Sequence, residues 1–394
     1  MFEKVPEDWE VVEIKKVCEF IRGTEPGSRT YNTEGIGYKF IRVSDLSKQI
    51  LEPVFTKEEK DKLVFCNKDD ILLALDGVPG IVNKGFEGAI SSGIRIVKPK
   101  IPNMDKEFLF YILQHRIVQK IIENYTTGTT IKHASRAIDF IKIPLPPLLE
   151  QKAIAQILST VDEAIQKVDE IIAKTERLKK GLMQKLLTKG IGHKEFKDTE
   201  IGRIPKEWEV VKIKNSNIAE IIMGQSPPSS SYNTSGDGLP FLQGKAEFGS
   251  IYPTPVMYTS QSTKIAEKGD ILISVRAPVG DVNLCPFRLC IGRGLAAIRI
   301  KDGSNLFYFY WLQKAKETIE NIGKGSTFKA ITKSELENIW IPIPHIQEQQ
   351  KIAEILSIVD KKLELERKRK EKLERIKKSL MNDLLTGKKR VKLK

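Results

Sequence analysis

The sequence predicts an α+β protein in which two mixed α/β domains stand in tandem, separated by two long helices that pack as an antiparallel coiled coil. Three observations predict it. The chain matches itself at an offset of about 198 to 201 residues. Each copy holds short β-rich runs bounded by turn-forming residues, and each ends in a long stripe of apolar residues at heptad spacing. A repeat of domain plus helix, closed by antiparallel helices, predicts halves related by a pseudo-two-fold axis.

The repeat keeps its order along the whole chain. Pro6-Glu7-Asp8-Trp9-Glu10-Val11-Val12 returns as Pro205-Lys206-Glu207-Trp208-Glu209-Val210-Val211, and Tyr31-Asn32-Thr33 returns as Tyr232-Asn233-Thr234. Asp70-Ile71-Leu72 answers to Asp270-Ile271-Leu272, Gly128-Thr129-Thr130 to Gly325-Ser326-Thr327, and Ile143-Pro144-Leu145-Pro146 to Ile341-Pro342-Ile343-Pro344. EQKAIAQILSTVD, from Glu150, matches EQQKIAEILSIVD, from Glu348. The boundaries that follow are a first domain over residues 1–149, a first helix over 150–190, a second domain over 191–347, a second helix over 348–387 and a basic tail over 388–394.

Within each domain, runs such as residues 37–43, 70–75 and 94–97 read as strands between Gly, Pro, Ser and Asn clusters. Residues 108–123 and 307–320 carry apolar side chains at helical spacing, which makes each domain mixed rather than all-β. The segments IPLPPLLEQ and IPIPHIQEQ close each domain, because proline lacks the backbone donor and restricts the residue before it. The first long helix places Ile154, Leu158, Val161, Ile165, Val168 and Ile172 on one stripe, and the second places Ile352, Leu356, Val359 and Leu363 likewise. Each stripe requires an apolar cover, and the simplest cover is the other helix.

A chain of 394 residues with 40% hydrophobic residues and a mean hydropathy of −0.27 can bury real cores. No apolar run approaches the ~20 residues that span a bilayer, and the start, MFEKVPEDWE, has no leader-like pattern, so no membrane association and a cytoplasmic location are expected. The four cysteines form no CxxC pair and only four histidines are present, which leaves no ligand set for a structural metal. The net charge of +14 favours a polyanionic partner.

No catalytic constellation survives inspection. Gly323-Lys324-Gly325-Ser326-Thr327 resembles the end of a phosphate loop, but Thr318 stands where that loop needs its first glycine. His115, His133, His193 and His345 show no convergent spacing, and the Asp76-Gly77-Val78-Pro79-Gly80 segment reads as a turn. Recurring polar loops are the better candidates, since recognition residues tend to sit on loops held by a rigid scaffold. In the first domain they offer Arg29, Tyr31, Arg42, Ser91, Ser92, Arg95, Thr129, Thr130, Lys132 and Arg136. In the second they offer Gln225, Ser226, Tyr232, Gln243, Arg276, Arg293, Lys324, Ser326 and Lys329. Arg and Lys suit phosphates or guanine, and the shorter polar side chains suit base edges, so all are expected to bind DNA.

The paired Trp-Glu-Val starts, the Gly-Asp-Ile-Leu run from Gly269 and the two blocks IPLPPLLEQKAIAQILSTVD and IPIPHIQEQQKIAEILSIVD resemble the specificity subunit of Type I restriction-modification enzymes over essentially the whole chain. Lys68-Asp69-Asp70, where the second half has Lys268-Gly269-Asp270, is a local departure. The resemblance implies two target recognition domains, each reading one half of a split, asymmetric double-stranded DNA sequence, and a chain that is itself non-catalytic and carries no cofactor. It implies also that the helices bind two methylation subunits, which supply S-adenosylmethionine, and that restriction and translocase subunits join for cleavage. The alternative is a coiled-coil interaction scaffold without specific DNA readout.

Overall fold

Two compact units divide the chain, one made of residues 1–169 with 368–394 and the other of residues 170–367. The computed structural model describes residues 5–47, 52–215, 217–323 and 330–392. Each unit holds a four-stranded and a five-stranded sheet, built in the same order in both.

In the first unit the four-stranded sheet runs Cys18–Arg22, Ile94–Pro99, Ile71–Ala74, Val82–Asn83, all neighbours antiparallel. The second unit repeats it as Ala219–Met223, Leu295–Ile300, Ile271–Ser274, Val282–Leu284. The strands Ile71–Ala74 and Ile271–Ser274 are buried along their whole length, because both faces of this sheet are covered. Ile71 and Leu73 enter the core shared with the helices, while Leu72 and Ala74 enter a smaller core on the opposite face. That two-residue alternation between two cores explains why ILLA is continuously apolar and why ILIS departs from this only at Ser274, whose buried hydroxyl donates to the Pro278 carbonyl and accepts from the Asp281 amide. The five-stranded sheet contains one parallel pair, Gly88–Ile90 with Tyr38–Ile41, matched by Leu289–Ile291 with Leu239–Leu242.

Two features differ from the sequence expectation. The apolar stretch over residues 108–123 forms two helices, Lys106–Gln114 and Arg116–Asn124, because His115 is extended between them and its Nδ1 accepts from the Ile117 amide. Its counterpart also breaks, into Asn305–Lys314 and Lys316–Gly323, but at Ala315, which is not extended (φ −77°, ψ 1°) and carries no side-chain acceptor. The proline-rich segments also begin as strands: Lys142–Leu145 pairs with Glu10–Glu13, and Trp340–Ile343 with Glu209–Lys212. Each is a two-stranded ribbon, where a proline can sit at an edge without breaking a ladder.

The long helices span Leu148–Lys189 and Ile346–Leu384. In the first unit they are joined by Asp162–Lys377 (2.7 Å) and Asp169–Lys370 (2.6 Å), and in the second by Glu176–Arg367 (2.7 Å) and Lys179–Asp360 (2.7 Å). One partner number rises as the other falls, so the helices pack antiparallel within each unit. The apolar stripe does more than face the opposite helix. Ile154 and Leu158 lie in the first unit's core together with Leu384 and Leu385, and Ile352 and Leu356 lie in the second unit's core with Leu186 and Leu187. The helix ends are therefore built into the domains. Val168, Val359 and Leu363 are buried further along, whereas Val161, Ile165 and Ile172 are only half-buried. Among the described residues no helix is long and apolar enough to cross a membrane.

The repeated Glu-Gln pair at each helix start is a joint. Glu150 accepts from the Trp9 indole at 3.1 Å, and Glu348 from the Trp208 indole at 2.9 Å, across 141 and 140 residues of chain. Beside them Gln151 accepts from the Asp105 amide and donates to the carbonyls of Asn103 and Pro146. Gln349 accepts from the Ser304 amide and donates to the Pro344 carbonyl. The domain's own helices are tied on as well: the Tyr111 hydroxyl donates to Asp162, and that of Tyr310 to Asp360. Arg390, in the basic tail, forks onto Asp8 and Glu150.

Gln349 is fully enclosed, so Gln349→Leu leaves a backbone donor and a backbone acceptor without partners and should cost about 2–4 kcal/mol. Urea unfolding should show the second unit's transition at lower denaturant, whereas Lys351→Ala, which removes only an exposed ion pair with Glu354, should leave it within about 0.5 kcal/mol.

Candidate nucleic-acid interface

At the end of its central strand each unit turns the chain outward through the same backbone frame. Leu75 donates to the Gly93 carbonyl and accepts from the Ala134 amide; Val275 donates to that of Gly294 and accepts from the Ile331 amide. Gly23 crosses beneath the Ser91 carbonyl and Gly224 beneath that of Gly292, so closely that a Cβ on either glycine would collide with the oxygen. Tyr31 and Tyr232 follow short 3-10 turns in matching places. Position by position, the frame equates Glu25 with Ser226, Arg42 with Gln243, Asp76 with Arg276, Ser92 with Arg293, Arg95 with Ala296 and His133 with Ala330.

In the first unit this frame encloses a cleft of about 600 Å³, lined among others by Arg22, Glu25, Tyr31, Arg42, Asp76, Ser91, Ser92 and His133. Glu25 organises one wall, accepting from the Tyr31 hydroxyl at 2.6 Å and the Ser92 hydroxyl at 3.1 Å. Burial, and then the adjoining carboxylate, push the Tyr31 pKa well up, so its hydroxyl stays a donor. Arg42 lays its fork on Asp45 at 3.0 and 3.1 Å. Arg95 is buried beneath the cleft, bonded to the Ser92 and Ile94 carbonyls and to the Ser135 hydroxyl, with Asp76 at 3.5 Å. Burial lowers the Arg95 pKa, and the Asp76 charge opposes that shift.

The second unit fills the same frame differently. The Ser226 hydroxyl and Gln243 amide bond each other at 3.0–3.1 Å, and the Arg293 amide donates to Ser226. The Tyr232 hydroxyl turns to the Pro227 carbonyl. Arg276 and Arg293 are exposed, and neither makes an ion pair with a described residue.

Of the sequence candidates, Tyr31, Arg42, Ser91 and Ser92 line the first cleft, and Gln243, Ser226 and Arg293 gather in the second unit. Arg29, Thr129, Thr130, Lys132 and Arg136 are exposed outside that lining, as is Gln225 in the second unit. Lys324, Ser326 and Lys329 lie outside the described residues. Sequence reasoning passed over Arg22 and Asp76, and it singled out neither Glu25 nor His133 although both lie on its candidate loops, residues 24–31 and 126–136. Nothing along the chain marks Asp76 and His133 as partners, because 57 residues separate them and Asp-Gly is an ordinary turn dipeptide. Among the described residues no group of three His, Cys, Asp or Glu side chains is placed to hold a metal ion.

A tandem pair of such units on joined long helices is the layout of a DNA specificity protein, and the comparisons agree: the chain belongs to the Type I restriction modification DNA specificity domain family, whose model matches residues 6–177 and again 205–375. It is the DNA specificity subunit, the non-catalytic component, of a Type I restriction-modification system. It is 44% identical to the putative type I restriction enzyme MjaX specificity subunit of Methanocaldococcus jannaschii, over 99% of this chain and 95% of that protein. A solved structure described as showing complex assembly and conformational transition of the type I restriction-modification system is 28% identical, with a TM-score of 0.55 over 97% of this chain and 98% of that one. The S subunit of M. genitalium shares the fold at a TM-score of 0.65 and 18% identity, over 97% of each chain.

Because the crossing beneath the Gly292 carbonyl leaves no room for a methyl group, Gly224→Ala should force the loop carrying Gln225 and Ser226 to shift, at about 1–3 kcal/mol. The shift should appear as faster amide hydrogen exchange in residues 224–232, with the long helices unchanged.

Proposed function

We propose that each unit reads one half of a bipartite, asymmetric double-stranded DNA target, and that the long helices dock two methylation subunits, with restriction and translocase subunits joining the assembly. Two units that share one backbone frame but line it with different polar groups carry this reading: a common scaffold gives both domains the same approach to the duplex, and different linings give them different base preferences. The exposed Arg29, Lys132 and Arg136 lie close in sequence to the cleft residues Tyr31 and His133 and suit phosphate contacts. The net charge of +14 supplies the sequence-independent part of the attraction. S-adenosylmethionine belongs to the methylation subunits in this scheme, and this chain's residues orient and select the DNA.

In complex with methylation subunits, affinity for the target duplex should fall on the order of a thousandfold between about 50 and 200 mM salt, and a scrambled duplex should bind more weakly at every salt concentration. Arg136→Ala should weaken both duplexes alike and reduce the salt slope by about one. Equal affinity for target and scrambled duplex across the titration contradicts the proposal, as does binding that ignores salt.

A further inference from the structure

The two frames differ most sharply at three positions that face one another. Asp76 pairs across a short antiparallel bridge with His133, and its carboxylate lies over buried Arg95. In the second unit the bridge recurs as Arg276 with Ala330, and Ala296 takes the place of Arg95. The three side chains have changed together: an acid braced by a base and an imidazole has become a lone base flanked by two alanines.

The physical consequences differ in kind. Asp76 is only 14% exposed and is already engaged, with Oδ1 at 2.8 Å from His133 Nδ1 and Oδ2 at 3.5 Å from Arg95. A carboxylate can only accept, so the Nδ1–H of His133 donates to it, and Nε2 is the ring nitrogen left for a ligand. The His133 side chain is 57% exposed and lines the cleft. In the second unit, an alanine opposite and an alanine beneath leave Arg276 exposed, with no ion pair or side-chain hydrogen bond to any described residue. A guanidinium fork presented this way matches the paired O6 and N7 acceptors of guanine.

We propose that this position determines specificity in both domains: Arg276 reads a guanine in one half-site, and His133, held by Asp76 as a positioning residue, reads a base in the other. The inference rests on the DNA-reading function proposed above and names the residues that would give the two domains different preferences.

The test uses the full chain with its methylation subunits, the target duplex, a set of duplexes with each base pair of the target replaced in turn, and a scrambled duplex. Arg276→Ala should lower discrimination about 10- to 100-fold at one base pair of one half-site, leaving scrambled-duplex affinity and the salt slope unchanged. Arg276→Gln should move the preferred base at that pair towards adenine, whose N6 and N7 suit an amide. His133→Ala should reduce discrimination by about tenfold or more at one base pair of the other half-site only. Arg276 is exposed and bonds no described side chain, so the thermal unfolding midpoints of its variants should stay with the parent chain, and for His133→Ala it is the restriction of the loss to one base pair that separates lost readout from lost stability. Uniform weakening on every duplex with the salt slope reduced by about one would mark a phosphate contact and overturn the inference, while leaving the proposed function standing. Unchanged discrimination at every base pair would overturn it too. A parent complex that does not distinguish target from scrambled duplex would remove the proposed function, and this inference with it.

Discussion

The hydrogen bond from an indole at the start of each domain to a glutamate at the start of the following helix is the constraint on which the rest depends. Trp9 to Glu150 and Trp208 to Glu348 close each domain on itself and seat the helix on the closure. The neighbouring glutamines occupy backbone groups that would otherwise be buried without partners, where each unpaired group costs about 1–3 kcal/mol. With the helix start held there, Ile154 and Leu158, or Ile352 and Leu356, become part of the domain core. The helix direction is then a property of the domain rather than of a linker.

That rigidity suits a protein whose task is to present side chains to a duplex. The frame is set by main-chain bonds and close glycine crossings that recur in both units, so the cleft walls can change residue by residue without loss of fold. Glu25 with Tyr31 and Ser92 in one unit, and Ser226 with Gln243 in the other, are two fillings of one mould. Recognition can diverge in such an arrangement while stability is carried elsewhere.

The tandem architecture was legible because the repeat is long and ordered, and the helices because their heptad stripe is strong. What escaped was pairing across distance. The Trp and the Glu-Gln words were visible as repeated text, but their mutual bond was not. A continuous apolar pattern concealed the break at His115, where the imidazole accepts from the backbone amide two residues on, that of Ile117. Residue type alone made Arg42 and Arg95 candidates for DNA, although the fold lays Arg42 on Asp45 and buries Arg95 above a network of carbonyls and a hydroxyl. Asp76 and His133 escaped for the opposite reason: neither is notable until a strand bridge brings them together.

The central claim, that one frame carries two independent linings, is tested most directly by exchanging residues 6–147 for the corresponding domain of another family member and mapping methylated sites across a genome with the methylation subunits present. The account predicts that one half of the recognised sequence changes and the other half, with its methylated base, is retained. A change in both halves, or retention of the original sequence in full, would contradict it.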